Sequence, residues 1–108
     1  TAYSLSAGGP ICSPDARVLI IEPIAPHNLN VRPLVVPEST DISITISSRD
    51  DEAVLTMDNR NYTIRPDAEV KVSVAQFSLK RVRLPKSSFV KALKSKLFWG
   101  EDIRNNDD

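Results

Sequence analysis

A chain of 108 residues with fourteen basic side chains, fourteen acidic ones and no net charge has room for one domain with a modest core, and it lacks the basic excess that a dedicated nucleic-acid or anionic-membrane binder carries. Hydrophobic residues at 41% and charged residues at 26% are ordinary for a globular protein. No stretch approaches the roughly 18 apolar residues of a membrane-spanning helix, no signal peptide is visible, and a single cysteine rules out an internal disulfide or a thiolate metal cage, so a reducing, cytoplasmic setting is expected.

The chain opens on small, hydroxyl-rich residues, Thr1-Ala2-Tyr3-Ser4-Leu5-Ser6-Ala7, which read as a short helix or turn. Gly8-Gly9-Pro10 stops it and lets another backbone or a ligand come close. Hydroxyls in such a place either cap free backbone N–H groups and help packing, or serve a phosphate or hydroxyl ligand. Residues 16–22 (ARVLIIE) form a compact β-branched run, a candidate buried strand. Pro23, Pro26, Asn28 and Asn30 make a turn-rich crossing, and residues 31–36 are apolar again. Pro33 and Pro37 bracket that run, which predicts a short or edge strand because proline cannot donate to a ladder.

Ile42, Ile44 and Ile46 alternate with Ser43, Thr45 and Ser47, the period of a half-buried strand. Residues 53–57 predict the next strand. Asp58-Asn59-Arg60-Asn61 predicts a tight hairpin turn, since Asp and Asn tolerate left-handed dihedrals, and residues 62–64 return from it. Val70, Val72 and Val74 alternate with Lys71 and Ser73, and residues 77–84 (FSLKRVRL) continue as a strand. Turn signals every eight to twelve residues predict an antiparallel sandwich or barrel-like sheet pair. The last element is different. Ser87 or Ser88 can cap a helix whose apolar stripe is Phe89, Val90, Leu93, Leu97 and Phe98, with Lys91, Lys94 and Lys96 outside it and Gly100 at its end. Residues 105–108 read as a polar tail.

Candidate chemistry is sparse. Cys12 has no evident base, and His27, set between two prolines, reads first as a structural hydrogen-bonder. Asp50-Asp51-Glu52 lacks the ligand spacing of a metal loop and reads as a solvated turn. Seven basic side chains lie between Lys80 and Lys96; they read as the solvated face of a strand and helix, with a phosphate or an acidic neighbouring domain as the sharper alternative.

Three segments taken together are more specific: Thr1–Pro10, then Pro26-His27-Asn28-Leu29 with Arg32-Pro33-Leu34-Val35-Val36-Pro37, then Met57-Asp58-Asn59-Arg60. In order and spacing they resemble the C-terminal part of NAD kinases, whose pattern runs TGSTAY, a serine and GGP, then a PH-x-L-x-x-RPLV stretch, then a strand ending in DGQ, DSQ or DGR. The resemblance covers residues 1 to about 100. It implies a mainly β fold, an antiparallel β-sandwich-like domain with a short N-terminal helix and a C-terminal helix. Residues 1–84 would be the β-rich NAD-binding domain, and residues 85–108 a helix and tail that return toward an N-terminal domain outside this sequence.

The activity implied is transfer of the terminal phosphoryl of ATP to the 2′-hydroxyl of the adenosine ribose of NAD. Thr1, Ala2, Tyr3 and Ser6 match family positions lining the adenosine site. Ala25 matches a position that contacts NAD, in several members from a neighbouring subunit. Asp58 matches the aspartate near the nicotinamide ribose and the reacting centre, a candidate auxiliary group. Arg60 stands where Gln is common, and Asn59 replaces Gly. The chemistry suits these roles: Tyr3 offers an aromatic face or a phenol, Thr1 and Ser6 offer hydroxyls, and Ala2 allows close approach. The plainer readings are a core tyrosine, capping hydroxyls and an Asx turn at Asp58.

The resemblance places the catalytic base, the aspartate of a GGDG loop, outside this sequence. No catalytic residue is therefore expected in the chain, and the chain alone is expected to be inactive. Magnesium or another divalent cation is expected with ATP in the full enzyme and not at this chain by itself. NAD, NADP, the N-terminal domain and further copies in a homodimer or homotetramer are the expected partners. The apolar stripe of the last helix, with Trp99, predicts self-association. Two rival readings stay open, a lipid- or diacylglycerol-kinase-type C-terminal domain and a non-enzymatic β-sandwich interaction module; both explain the strands, and neither explains the three motif segments.

Overall fold

β-branched and aliphatic residues favour extended backbone, and each such run in this chain finds one antiparallel partner. A computed structural model describes residues 2–100 and 102, without the side chain of Ala2. The strand β1 (Val18–Ile21) pairs with β2 (Leu34–Pro37), Val18 opposite Pro37 and Ile21 opposite Leu34. Pro37 ends β2, where its missing N–H costs the ladder nothing. Beyond it the Glu38 amide donates to the Arg17 carbonyl at 3.0 Å, and Arg17 Nε meets Glu38 Oε1 at 2.6 Å.

Strand β3 (Ile42–Thr45) pairs with β6 (Glu69–Val72). Ile42 faces Val72 and Ile44 faces Val70, so the period-two pattern puts four aliphatic side chains on one side of the ribbon. On the other side the Ser43 hydroxyl bonds to the Glu69 carboxylate. β4 (Ala53–Met57) and β5 (Arg60–Ile64) form the expected hairpin, but Arg60 and Asn61, expected in the turn, are paired with Met57 and Thr56, which leaves Asp58-Asn59 as the turn. The Thr56 hydroxyl donates to Asn61 Oδ1 across it at 2.8 Å.

Helix α1 (Ala2–Ser6) is stopped by Gly8 at φ 94°, while the amides of Ala7, Gly8 and Gly9 return to the carbonyls of Tyr3, Leu5 and Ser4. Helix α2 (Phe89–Leu97) starts at Ser88, extended at φ −133°, whose hydroxyl accepts from the Lys91 amide at 3.4 Å. Of the two serines named in advance Ser88 is the cap; Ser87 instead donates to the Leu84 carbonyl at 2.7 Å.

The fold is mainly β with a helix at each end, as expected, and every strand pairing is antiparallel. The six strands join two by two into three ribbons. Among the described residues no side chain is fully buried. The radius of gyration is 18.2 Å, against about 13 Å for a compact domain of this length. The accessible surface is 10450 Å², against about 6,000 Å² for a folded monomer of this mass.

Three local expectations are corrected. Residues 77–84 are irregular; their alternation suits a strand, but no neighbouring backbone answers it, and Phe77, Leu79 and Val82 are 83%, 95% and 92% exposed. Helix α2 ends before Gly100: Phe98 takes the left-handed cap at φ 53°, its N–H donating to the Leu93 carbonyl. Val90 points to solvent, whereas Ala92 and Lys96 join Phe89, Leu93 and Leu97 around an apolar cavity of about 210 Å³ shared with Leu5, Ile11 and Cys12. No helix among the described residues is long and apolar enough to cross a membrane.

Candidate functional site

The dinucleotide positions inferred from sequence fall on three local structures. Tyr3 and Ser6 lie on α1. Tyr3 is 72% exposed, a free aromatic face rather than a core side chain. Ser6 Oγ donates back to the Tyr3 carbonyl at 2.8 Å, which fixes its rotamer and leaves the oxygen able to accept. Ala2 is in the same helix, and Thr1 lies outside the described residues.

Ala25 sits in the bend after β1 at φ 47°, left-handed backbone that costs a non-glycine residue about 1 kcal/mol or more. Backbone held in such a conformation collects at binding sites. Asp58 is at φ 51° in the β4–β5 turn, a conformation Asp adopts more readily. Its carboxylate makes no Asx hydrogen bond in the described structure; the Asx-type contact of this chain is the Asn30 amide to Asn28 Oδ1 at 3.0 Å. Arg60 is exposed at the start of β5, and His27 is exposed in the loop.

The structure links the first two of these regions only through one side chain near Gly9. Gly9 is bonded through its amide to the Ser4 carbonyl at 2.7 Å. A methyl at Gly9 would overlap the Ser4 hydroxyl and stand 3.1 Å from Glu22 Oε2. The Glu22 side chain, from the residue after β1, therefore reaches the space beside Gly9. The Asp58–Arg60 turn is not drawn in: among the described residues the contacts between elements are the three strand pairings alone.

The space beside Gly9, which the sequence offered to another backbone or a ligand, is filled by Ser4 and a Glu22 oxygen. Among the described residues no group of three or more His, Cys, Asp or Glu side chains could hold a metal ion. The Asp50-Asp51-Glu52 run instead lines an open cavity of about 680 Å³ with Arg49 and Arg65. The arrangement offers an exposed ring, hydroxyls and close-approach backbone, which are means of holding a ligand. It contains no paired acid and base.

The ATP-NAD kinase C-terminal domain family matches residues 1–84. The chain belongs to this family. An NAD kinase of Christiangramia forsetii is 48% identical over 105 residues, covering 97% of this chain and 36% of that protein. An NAD kinase of Flavobacterium johnsoniae is 44% identical over the same coverage. One of Bacteroides fragilis is 36% identical over 104 residues. The chain thus spans 36% of the length of these relatives, and α2 lies beyond the family match but within the aligned stretch.

Proposed function

We propose that this chain is the dinucleotide-holding C-terminal part of an NAD kinase, the rest of which supplies the reacting groups. Moving a phosphoryl from ATP to a ribose 2′-hydroxyl requires that the dinucleotide be held, the hydroxyl activated and the transferring charge neutralised. The reading rests on one observation above the others: the three segments that carry Tyr3, Ser6, Ala25, Asp58 and Arg60 all lie within residues 1–84, the stretch matched by the ATP-NAD kinase C-terminal domain family.

In this reading Tyr3 offers its ring to adenine or its phenol to the ribose. Thr1 and Ser6 offer hydroxyl oxygens, and Ala2 and Ala25 let the ligand approach the backbone. Asp58 and Arg60 serve the nicotinamide-ribose side from the β4–β5 turn. In this reading the general base and the magnesium that accompanies ATP belong to the remainder of the enzyme. The chain alone is then inactive. Residues 1–84 form the NAD-binding domain and residues 85–108 return toward the N-terminal domain, in a cytoplasmic homodimer or homotetramer. The exposed apolar side chains of the chain, Phe77, Leu79, Val82 and Trp99 among them, supply surface for those contacts.

Titration with NAD and NADP by calorimetry or ligand-observed NMR tests the reading, with Tyr3→Ala as the control. Saturable binding that disappears in the control is the expected result. Absence of binding by the wild-type chain at millimolar ligand would overturn the claim that these residues hold the dinucleotide unaided.

A further inference from the structure

Seven basic side chains lie between Lys80 and Lys96 in a chain with no net charge, and the dinucleotide reading uses none of them. Three of the seven line one cavity of about 780 Å³: Arg81 and Arg83 from the irregular segment 77–84, and Lys96 from α2. No acidic residue lines it. Among the described residues the cations that form ion pairs are Arg17, Arg65 and Lys71, and the three at the cavity have no such partner. Like charges gathered without a counter-ion repel one another, and an anion that enters among them relieves the repulsion. The rest of the wall suits an anion with an organic part. Ser88 accepts from the Lys91 amide, which leaves its hydroxyl hydrogen to donate. Leu84 and Phe89 add apolar surface. The volume lies within the range of about 300–1,000 Å³ usual for small-molecule sites.

We infer that this cavity takes the phosphate group of a small organic phosphate ester. Arg81 and Arg83 supply planar guanidinium donors matched to phosphate oxygens, Lys96 supplies a compact positive charge, and Ser88 supplies a hydroxyl donor. The organic part of the ester lies against Leu84 and Phe89. Inorganic phosphate would satisfy the cations but leave that apolar wall in water, and an acidic protein surface would meet only the rim of a concave site. None of the described residues assigned to the dinucleotide lines the cavity, so this is a second site and stands apart from the dinucleotide reading.

Phenyl phosphate is the probe, titrated by calorimetry into wild type, Arg81→Gln/Arg83→Gln, Lys96→Gln and a control, Lys80→Gln/Lys86→Gln. The control removes two charges from the same stretch of chain at residues that do not line the cavity. Both arginines are exposed, so their replacement leaves packing intact, and circular dichroism checks that each variant keeps the wild-type spectrum. Wild type should bind saturably, and more weakly as salt is raised. Loss of one charge-assisted hydrogen bond should weaken binding about tenfold in Lys96→Gln, and loss of two about a hundredfold in the double arginine variant. The control should bind nearly as wild type does. Equal losses in the control and the double arginine variant would mean that diffuse charge holds the anion, and would overturn the inference. No binding of phenyl phosphate by wild type at millimolar concentration would also overturn it. Inorganic phosphate should bind more weakly than phenyl phosphate; equal affinity would overturn the assignment of an ester. Tyr3→Ala should bind phenyl phosphate as wild type does, whatever becomes of its NAD binding; a loss there would move the phosphate to the dinucleotide residues and overturn the second site.

Discussion

The segment from Ala2 to Ala25 and the segment from residue 73 to Trp99 are each about half apolar, yet they end in different conditions. In the first, the turn after α1 is closed by the amides of Ala7, Gly8 and Gly9, the Ala16 amide bonds to the Ser13 carbonyl, and the backbone at Ala25 is left-handed. In the second, a strand-like alternation is left without a ladder, Leu79 is 95% exposed, and Trp99 is 65% exposed. Turn and capping chemistry needs only near neighbours in sequence. A strand needs a second strand, and a two-stranded ribbon is marginal by itself.

The largest expected effect tests the second segment. If its open face seeks contacts, the chain self-associates as concentration rises, and Leu79→Ser with Val82→Ser shifts the sedimentation profile toward monomer. A wild-type chain that stays a single monomer at high concentration would mean that this face is tolerated in water, and the contrast between the segments would lose its consequence.

Next in size is Gly9→Ala, which forces a methyl against Ser4 and Glu22. Overpacking of this kind costs about 1–3 kcal/mol, read as a lowered denaturant midpoint. Gly8→Ala is the paired control, because a methyl there meets nothing within 4 Å and adds only the strain of φ 94°, about 1 kcal/mol. Equal losses at the two positions would mean that the space beside Gly9 is not reserved for the two side chains.

Ala25→Gly should raise stability by about 1 kcal/mol by relieving the left-handed strain, less the extra freedom glycine has in the unfolded chain. If the strained bend helps to hold the dinucleotide, the same change lowers NAD affinity; a gain in stability and in affinity together would separate the strain from binding. The smallest effect belongs to α2. Ser88→Ala removes its cap, at about 1 kcal/mol or less, measured as reduced helical circular dichroism. Ser87→Ala should change it less, since Ser87 bonds outside the helix.

Much of the local structure was legible in the residues. The β4–β5 turn at Asp58-Asn59, the stop at Gly8, the pairing-competent runs around Val18 and Ile42, and the cap at Ser88 each follow from chemistry within a few positions. Gly100 failed as the helix end because Phe98 accepted the left-handed position first, its N–H returning to the Leu93 carbonyl. Val90 was misplaced because helical spacing tells which residues share a stripe, but the neighbouring element decides where the stripe faces. The site was legible only as a set of positions. That Glu22 belongs beside Ser4 was not, since nothing in spacing links the end of a strand to a helix so far before it.

The sequence by itself determined the family, through three motif segments whose residue types, order and spacing resemble it, and it determined the type of most elements, because propensity and periodicity act over a few residues. The tertiary structure alone decided which runs found partners, which face of α2 met Leu5 and Ile11, and that a covered carboxyl oxygen shares the space beside Gly9 with a serine hydroxyl. Those outcomes depend on contacts between residues distant in the chain, which no local pattern encodes.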